Sequence, residues 1–397
     1  MEIVLPPALD MALTQRLALL SHAVQASGGA ASARRRLAAL LFERDRFEEA
    51  AAALGSFAPA MAADDALLLA QVLLSRHGAG DAECAEQAAD HAAALAGSPS
   101  LASKALIAKG RALLLQRQDE AGTALLRRVL DVNPGELGAF RTLSDRLLRQ
   151  GQADAVLALV EQLRAAGQDH ARLLGAEAVA LARTGAIEQA RALSGIDRFV
   201  TTLQLAAPSG WENAAAFNAA LVAEAAADPD LRQGRYGTAS RGAQRVDHPQ
   251  RAGAPAFAAL HRAIAAAIMD HVAALPVDDH PWLAGRPERL ALRSWCVMTG
   301  ADGYEEWHNH PAGWMSGGYY PAVPDQPHGA DPRSGSLAFG MPALLAGAPA
   351  AAAFGEHLVP PSAGMLALFP SHLYHRTYPH RQSGRRICMA FDLESRA

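Results

Sequence analysis

Residues 305–320 read EEWHNHPAGWMSGGYY, and the two histidines separated by one residue decide how the second half of the chain is read. In an extended strand alternate side chains leave on one face, so His308 and His310 can both face one pocket while Asn309 points outward. Alone, such a pair fits two solvated strand histidines better. The pattern sharpens downstream. The stretch 366–379, LALFPSHLYHRTYP, closes an apolar run with His372 and His375, and Arg386 opens the run RICMAFDL at 386–393. Two close histidines, a distant third and an arginine after it form an ordered set suited to a metal centre. The spacing to Arg386 favours His375 over His372. Strand alternation favours Arg386 over its neighbour Arg385, because Cys388 and Ala390 then share its inward face.

The surroundings fit a β-rich domain. From Leu290 onward the short runs LALRSWCVMT, MSGGYY, GSLAFG, GMLALFP and RRICMAFDL are bounded by glycine and proline, which predicts antiparallel strands in a sandwich or barrel. Upstream, WENAAAFNAALVAEAAADP and PAFAALHRAIAAAIMDHVAAL predict amphipathic helices, with the polar loop GTASRGAQRVDHPQ between them.

The first half differs in kind. It is built from Ala, Leu, Arg, Glu and Gln, all good helix formers. ALLLQRQDEAGTALLRRVLDVNP, TLSDRLLRQGQADAVLALVEQLRAAG and LLGAEAVALARTGAIEQARALSG each read as helix, turn, helix. Their turn residues Arg117, Gly151 and Gly185 fall 34 residues apart, followed by Ala121, Ala155 and Ala190, and LLFERDRFEEAAAAL is a degenerate further copy. A period of 34 with a small residue on the second helix predicts helical hairpins that bury a face by stacking. Over roughly residues 15–195 this resembles the tetratricopeptide family, although the large aromatic positions of its consensus are largely missing. The rival is an irregular alanine-rich bundle. Either is a scaffold suited to binding or to forming a homodimer. The expected organisation is therefore an α+β multidomain chain, with a helical TPR-like repeat domain at 1–198 and a β-rich domain with flanking helices at 199–397.

Four pieces of the second half, HNHP, SGGYY, FPSHLYH and RICMAF, resemble a group of bacterial iron(II)/2-oxoglutarate-dependent oxygenases of the prolyl-hydroxylase-like kind. Their pieces run H-x-H-P, S-G-x-Y-Y, F-P-S-x-x-x-H and R-x-x-x-A-F. TASRGAQ is similar to a segment that precedes the core in that group. The resemblance implies a double-stranded β-helix, a jelly roll holding Fe(II) at its mouth on His308, His310 and His375. It implies 2-oxoglutarate as cosubstrate, its far carboxylate on Arg386 with support from Tyr320 and from Ser316 on the same strand parity, and molecular oxygen as the other reactant. A guanidinium suits that bidentate pairing better than an ammonium does. His310 stands where most of the superfamily has Asp or Glu, which raises the charge of the site by one unit and favours softer metals in competition. Cys388 stands where many relatives have Ser. Hydroxylation of a peptide or protein side chain is the implied reaction, because an appended repeat array offers a concave peptide-binding surface.

Other readings are narrower. The contiguous letters H-N-H do not make a nuclease, whose site is spread over a hairpin and a helix. A three-histidine oxygenase or hydrolase that ignores 2-oxoglutarate would need a base, for which Glu305 and Glu306 are nearest. A non-catalytic metal-binding scaffold is the third. His328, His357 and His380 lie in Pro/Gly-rich surroundings and are expected to be solvated. A net charge of −4 argues against a general nucleic-acid binder. No continuous apolar run of membrane-spanning length stands out. The opening MEIVLPPALD lacks the pattern of a secretory signal. Cys84, Cys296 and Cys388 are scattered thiols, which fits a reducing cytoplasm.

Overall fold

The alanine-rich half folds into helices joined in pairs by short turns: Ala31–Glu43 with Phe47–Leu54, Ala63–Arg76 with Asp81–Ala94, and Pro99–Leu115 with Asp119–Val132. Leu137–Arg149 with Ala153–Ala165, and Ala171–Arg183 with Ile187–Ser194, continue the plan. The computed structural model describes residues 1–234, 239–276, 278–325 and 331–395. The turn residues of the 34-residue period, Arg117, Gly151 and Gly185, have φ of 64°, 80° and 91°, and Asp45 in the degenerate copy has 59°. This left-handed step reverses the chain after each first helix, and glycine takes it without strain. The inward position of the second helix is five residues after the turn. Gly122, Val156 and Ala190 are buried there, whereas the expected Ala121 is exposed and Ala155 half-buried.

The chain divides into two compact units, Ala12–Leu147 and Met1–Met11 with Leu148–Ala397. The first is a helical array whose core is almost entirely leucine and alanine. The division falls earlier than the change of composition near residue 198. The reason lies in what the last helices touch. Ala171–Arg183 packs against the short helices Ala343–Ala346 and Ala348–Phe354, and Leu174 joins the main core of the β-rich unit. Arg183 donates to the Leu345 carbonyl at 2.7 Å, and Arg191 to that of Ala353 at 2.7 Å. Composition records what a segment is made of; packing decides which unit it joins.

The second unit holds an eleven-stranded sheet. Its strands are β1 Glu2–Val4, β2 Thr201–Gln204, β3 Arg232–Gln233, β4 Ser240–Val246, β5 Arg289–His308 and β6 Gly313–Ala322. They continue with β7 Leu337–Phe339, β8 His357–Val359, β9 Met365–Pro370, β10 His375–Thr377 and β11 Arg386–Ser395. The order is β2-β9-β6-β11-β5-β10-β7-β8, with β4 and β1 also on β5 and β3 on β4; among the described strands β1 alone pairs in parallel. All five sequence-predicted strand runs are strands. The pairings curl the sheet into the expected double-stranded β-helix, and β5 is its spine. Residues 290–299 of β5 pair with β11, and Glu305 and His308 pair with β10, so one strand serves both layers. Between these segments Gly303 faces the bulge in β4, where Gly242 has φ of 59°; a Cβ on Gly303 would lie 2.7 Å from the Gly242 carbonyl oxygen.

Alternation sorts the two faces. Leu290, Leu292, Cys296, Met298, Ile387, Met389, Phe391 and Leu393 face helices Ala214–Ala226 and Pro255–Ala274 in the main core. A smaller cluster of Tyr320, Leu337, Phe339, Met365, Ala367 and Phe369 lines the opposite, concave face. Pro255–Ala274 is long and apolar enough to cross a membrane, contrary to the sequence reading. Its buried residues Phe257, Leu260, Ile264, Ile268 and Val272 pack on the sheet, as in a core helix.

Gly175, on helix Ala171–Arg183, lies against the loop after β5. A Cβ there would stand 2.5 Å from Asn309 Nδ2 and 2.9 Å from the His372 carbonyl oxygen. Backbone cannot yield as a side-chain tip can, so Gly175→Val should destabilise this unit by about 1–3 kcal/mol. All five tryptophans lie in this unit. Fluorescence-monitored urea unfolding of the full chain therefore isolates the effect, and an unchanged midpoint would show that the helix is not seated as described.

Candidate metal centre

Antiparallel pairing of β5 with β10 sets His308 directly opposite His375. His310 arrives by another route. It lies past the end of β5, and its amide donates to the Ser371 carbonyl at 3.0 Å, so a loop anchored on β9's continuation turns it into the same pocket. The expectation of simple strand alternation is corrected in that detail. The three ring centroids are 4.2 Å (His308 to His375), 5.0 Å (His310 to His375) and 5.2 Å (His308 to His310) apart. One nitrogen of each ring lies within 4.8 Å of the others.

The other nitrogen of each ring fixes its tautomer. His308 Nδ1 meets the Glu306 carbonyl at 2.7 Å, His375 Nδ1 meets the Leu373 carbonyl at 3.0 Å, and His310 Nδ1 meets Asp392 Oδ1 at 2.7 Å. All three partners are acceptors, so each Nδ1 carries the proton and each Nε2 carries the lone pair. His310 Nε2 and His375 Nε2 stand 3.2 Å apart. Two lone pairs at that distance repel unless a proton on His310 or a metal ion lies between them. Adjacent ligands about 2.1 Å from one ion at right angles would be separated by about 3 Å, so the donor set fits a divalent transition metal.

Burial shapes the charges. It holds His375 well below the ordinary imidazole range, helped by its two histidine neighbours. Burial also lowers His308, against the opposing charge of Glu305. Burial pulls His310 down too, but the Asp392 carboxylate outweighs it and the pKa is raised.

Arg386 faces the same concave side from β11 and is 4% exposed. Its Nη1 donates to the carbonyls of Gly335 (3.0 Å) and Tyr378 (3.3 Å), and its Nη2 to Thr377 Oγ1 at 2.8 Å. Among the described residues it has no carboxylate within ion-pair distance, so its hydrogen-bond partners are neutral dipoles, with the Glu305 carboxylate acting on it only from further away. Such a charge leaves room for an anion. Arg385 is exposed. Tyr320 is buried at 3% exposure, its phenol pushed well above the usual value by burial and in contact with the Cys388 thiol. Burial likewise pushes Cys388 up to about 12. Ser316 is fully buried, but its hydroxyl bonds Ser371 Oγ and Asp392 Oδ1, each at 2.7 Å.

The remaining candidates sort cleanly. His372 turns away from the cluster to the Ser194 carbonyl at 3.2 Å, and burial lowers it to about 4. His357 is exposed beside Asp197. His380, expected to be solvated, is wholly buried against the backbone near Thr299. His328 lies outside the described residues. Glu306 is exposed and paired with Arg241 at 2.6 Å. Glu305 instead faces the site and accepts from Ser240 Oγ at 2.9 Å; its carboxyl is held low, burial notwithstanding, by His308, Arg245 and Arg386. Asn309 points outward as expected, but it is held rather than free, with Arg172 Nη1 and the His372 carbonyl each at 3.4 Å.

Sequence reasoning missed Asp392, Thr377 and Ser371. The first was within reach, because Asp392 continues the inward parity of Arg386, Cys388 and Ala390. Thr377 and Ser371 flank the distal histidine but carry no distinctive spacing.

A curled antiparallel sheet carries three convergent imidazoles and a buried arginine on its concave face, a double-stranded β-helix with a candidate metal centre. Residues 293–392 match the model of the family described as putative 2OG-Fe(II) oxygenase, whose cofactors are iron and 2-oxoglutarate. No curated protein matches the chain. Among solved structures, a prolyl-4-hydroxylase from Pseudomonas putida is 18% identical over 54% of this chain and 100% of its own, at a TM-score of 0.34. HygX from Streptomyces hygroscopicus, with nickel, 2-oxoglutarate and hygromycin B bound, is 15% identical over 50% of this chain and 84% of its own, at 0.33. YrrB, a TPR protein with an unusual peptide-binding site, is 19% identical over 45% of this chain and 91% of its own, at 0.32.

Metal must find all three imidazoles neutral. The pKa of His310 is raised, so it is the last to lose its proton as pH rises and the first to gain one as pH falls. Metal affinity should therefore drop about tenfold per pH unit below that raised pKa, with His308 and His375 adding to the loss only in more acid solution. Titration of Mn(II) into the purified chain at a series of pH values measures this; affinity flat across the series would remove His310 from the ligand set. His375→Ala should abolish binding while His372→Ala leaves it intact.

Proposed function

We propose that the chain is an iron(II)/2-oxoglutarate-dependent dioxygenase of the hydroxylase type. The observation that carries this reading is the convergence of three Nε2 lone pairs whose tautomers are each fixed by a separate acceptor. His308, His310 and His375 hold the metal. The guanidinium of Arg386, with only neutral partners, takes the far carboxylate of the keto acid, and the Tyr320 phenol borders the same space. Bound together, iron(II) and 2-oxoglutarate would activate molecular oxygen, one oxygen atom ending in succinate as the keto acid loses carbon dioxide and the other going to the substrate. The protein's own part is to keep His308 and His375 neutral, to orient His310 through Asp392, to place a fixed positive charge for the keto acid, and to exclude water with the apolar wall of Phe339 and Phe369, whose rings flank His375 at 6.0 and 4.7 Å. A peptide or protein side chain is the substrate class we favour, because the helical array offers a surface on which an extended segment can lie. Three free thiols agree with a reducing cytoplasm as its setting.

A second reading has one observation behind it. Glu305 faces the centre as an ionised carboxylate, the base that a three-histidine metal hydrolase would need. Succinate release separates the two. Purified chain with iron(II), oxygen and 2-oxoglutarate should form succinate only when all three are present. Arg386→Ala should weaken 2-oxoglutarate binding about a hundredfold, the loss of a bidentate charged contact. Iron-dependent hydrolysis without succinate would overturn the oxygenase reading in favour of the hydrolase.

A further inference from the structure

The charge missing from the ligand set reappears one bond further out. His310 replaces a carboxylate as ligand, yet Asp392 Oδ1 lies 2.7 Å from His310 Nδ1. The same oxygen accepts from Ser316 Oγ at 2.7 Å, and that hydroxyl, its proton committed, accepts from Ser371 Oγ at 2.7 Å. Ser371 closes the ring, for its carbonyl accepts the His310 amide at 3.0 Å. Ser316 and Ser371 are 0% exposed and Asp392 8%. Gly313 clears the space, since a Cβ there would stand 2.5 Å from Ser371 Oγ and 3.6 Å from Asp392 Cβ. Strand register makes the ring: Ser316 and Asp392 are partners across β6 and β11, and Ser316 pairs with Phe369 of β9, two residues before Ser371.

We propose that Asp392 is a positioning residue that tunes the metal centre through His310, restoring at second hand the negative charge that a ligand carboxylate would supply. This rests on the reading of His308, His310 and His375 as metal ligands. Three neutral imidazoles with one carboxylate behind them carry the same formal charge as two imidazoles and one carboxylate. An anionic acceptor on Nδ1 makes Nε2 a stronger donor and locks the ring's rotation. The serine pair holds the acceptor oxygen in place. His308 and His375 rest on neutral carbonyls, so His310 is the one ligand of the three whose Nδ1 hydrogen-bonds to a charged group.

The test reads metal binding by the full-length chain, independent of turnover. Co(II) and anaerobic Fe(II) are titrated against a competing chelator into wild type, Asp392→Asn, Ser316→Ala and His375→Ala, with metal-free melting temperatures recorded for each. Asp392→Asn keeps shape and one acceptor oxygen but removes the charge. It should bind about 10–100-fold more weakly and shift the Co(II) absorption bands, while its metal-free melting temperature stays close to wild type. Ser316→Ala should move affinity the same way by less. Wild-type affinity and spectrum in Asp392→Asn would overturn the proposal. Should that variant not fold, unchanged affinity and spectrum in Ser316→Ala would do so. His375→Ala separates the two levels. If it loses metal while Asp392→Asn does not, only the role of Asp392 falls; if it too binds like wild type, the metal-centre reading falls.

Discussion

The pairing of His375 with His308 across β10 and β5 is the contact on which the rest of the centre depends. A strand's side chains alternate, so a slip of one residue would send one imidazole to the other face. The register is fixed elsewhere along the same strand. β5 is locked to β11 over ten successive partners and to β4 on its other edge, and only then runs on to meet β10. The long antiparallel ladder, with Ile387, Met389, Phe391 and Leu393 buried beneath it, resists sliding because sliding would expose that whole apolar row. The geometry of the histidines is thus guaranteed by hydrophobic burial well away from them.

Electrostatics then act within a frame that packing has already set. Burial alone would neutralise every ionisable group on the concave face. It succeeds with His308 and His375, and it drives the Tyr320 phenol and Cys388 thiol out of the titrating range. Arg386 donates to neutral carbonyl and hydroxyl oxygens. A guanidinium hydrogen-bonded only to neutral oxygens thus stands near two imidazoles that burial keeps neutral and a third held by Asp392.

Much of this was legible in the residues. The three histidines and Arg386 were readable from their order, and Arg386 was separated from Arg385 by parity, because alternation on a half-buried strand is strict. His375 was separated from His372 by its spacing to that arginine. The parts that were not legible share a physical cause: they depend on contacts between distant segments. Ser316 shared a strand parity with Tyr320, but only the three-strand alignment of β11, β6 and β9 shows its hydroxyl spent on Asp392. His380 sits in a turn-rich stretch that composition marks as exposed, yet the fold closes over it. The placement of the last helices had the same character, since helical periodicity is identical whether a helix stacks on another repeat or on a sheet.

That placement has a consequence for how the chain can be taken apart. Helix Ala171–Arg183 touches the outward side of Asn309, the residue between two of the clustered histidines, and Gly175 permits the approach. The hairpin that ends the repeat pattern is at the same time the support behind the loop that carries Asn309 and His310. A cut at the compositional seam would leave a β-domain with its histidine loop unbuttressed. Strand β1, from the very start of the chain, pairs with β5 as well, so a β-domain cut free at residue 198 would lose support on two sides.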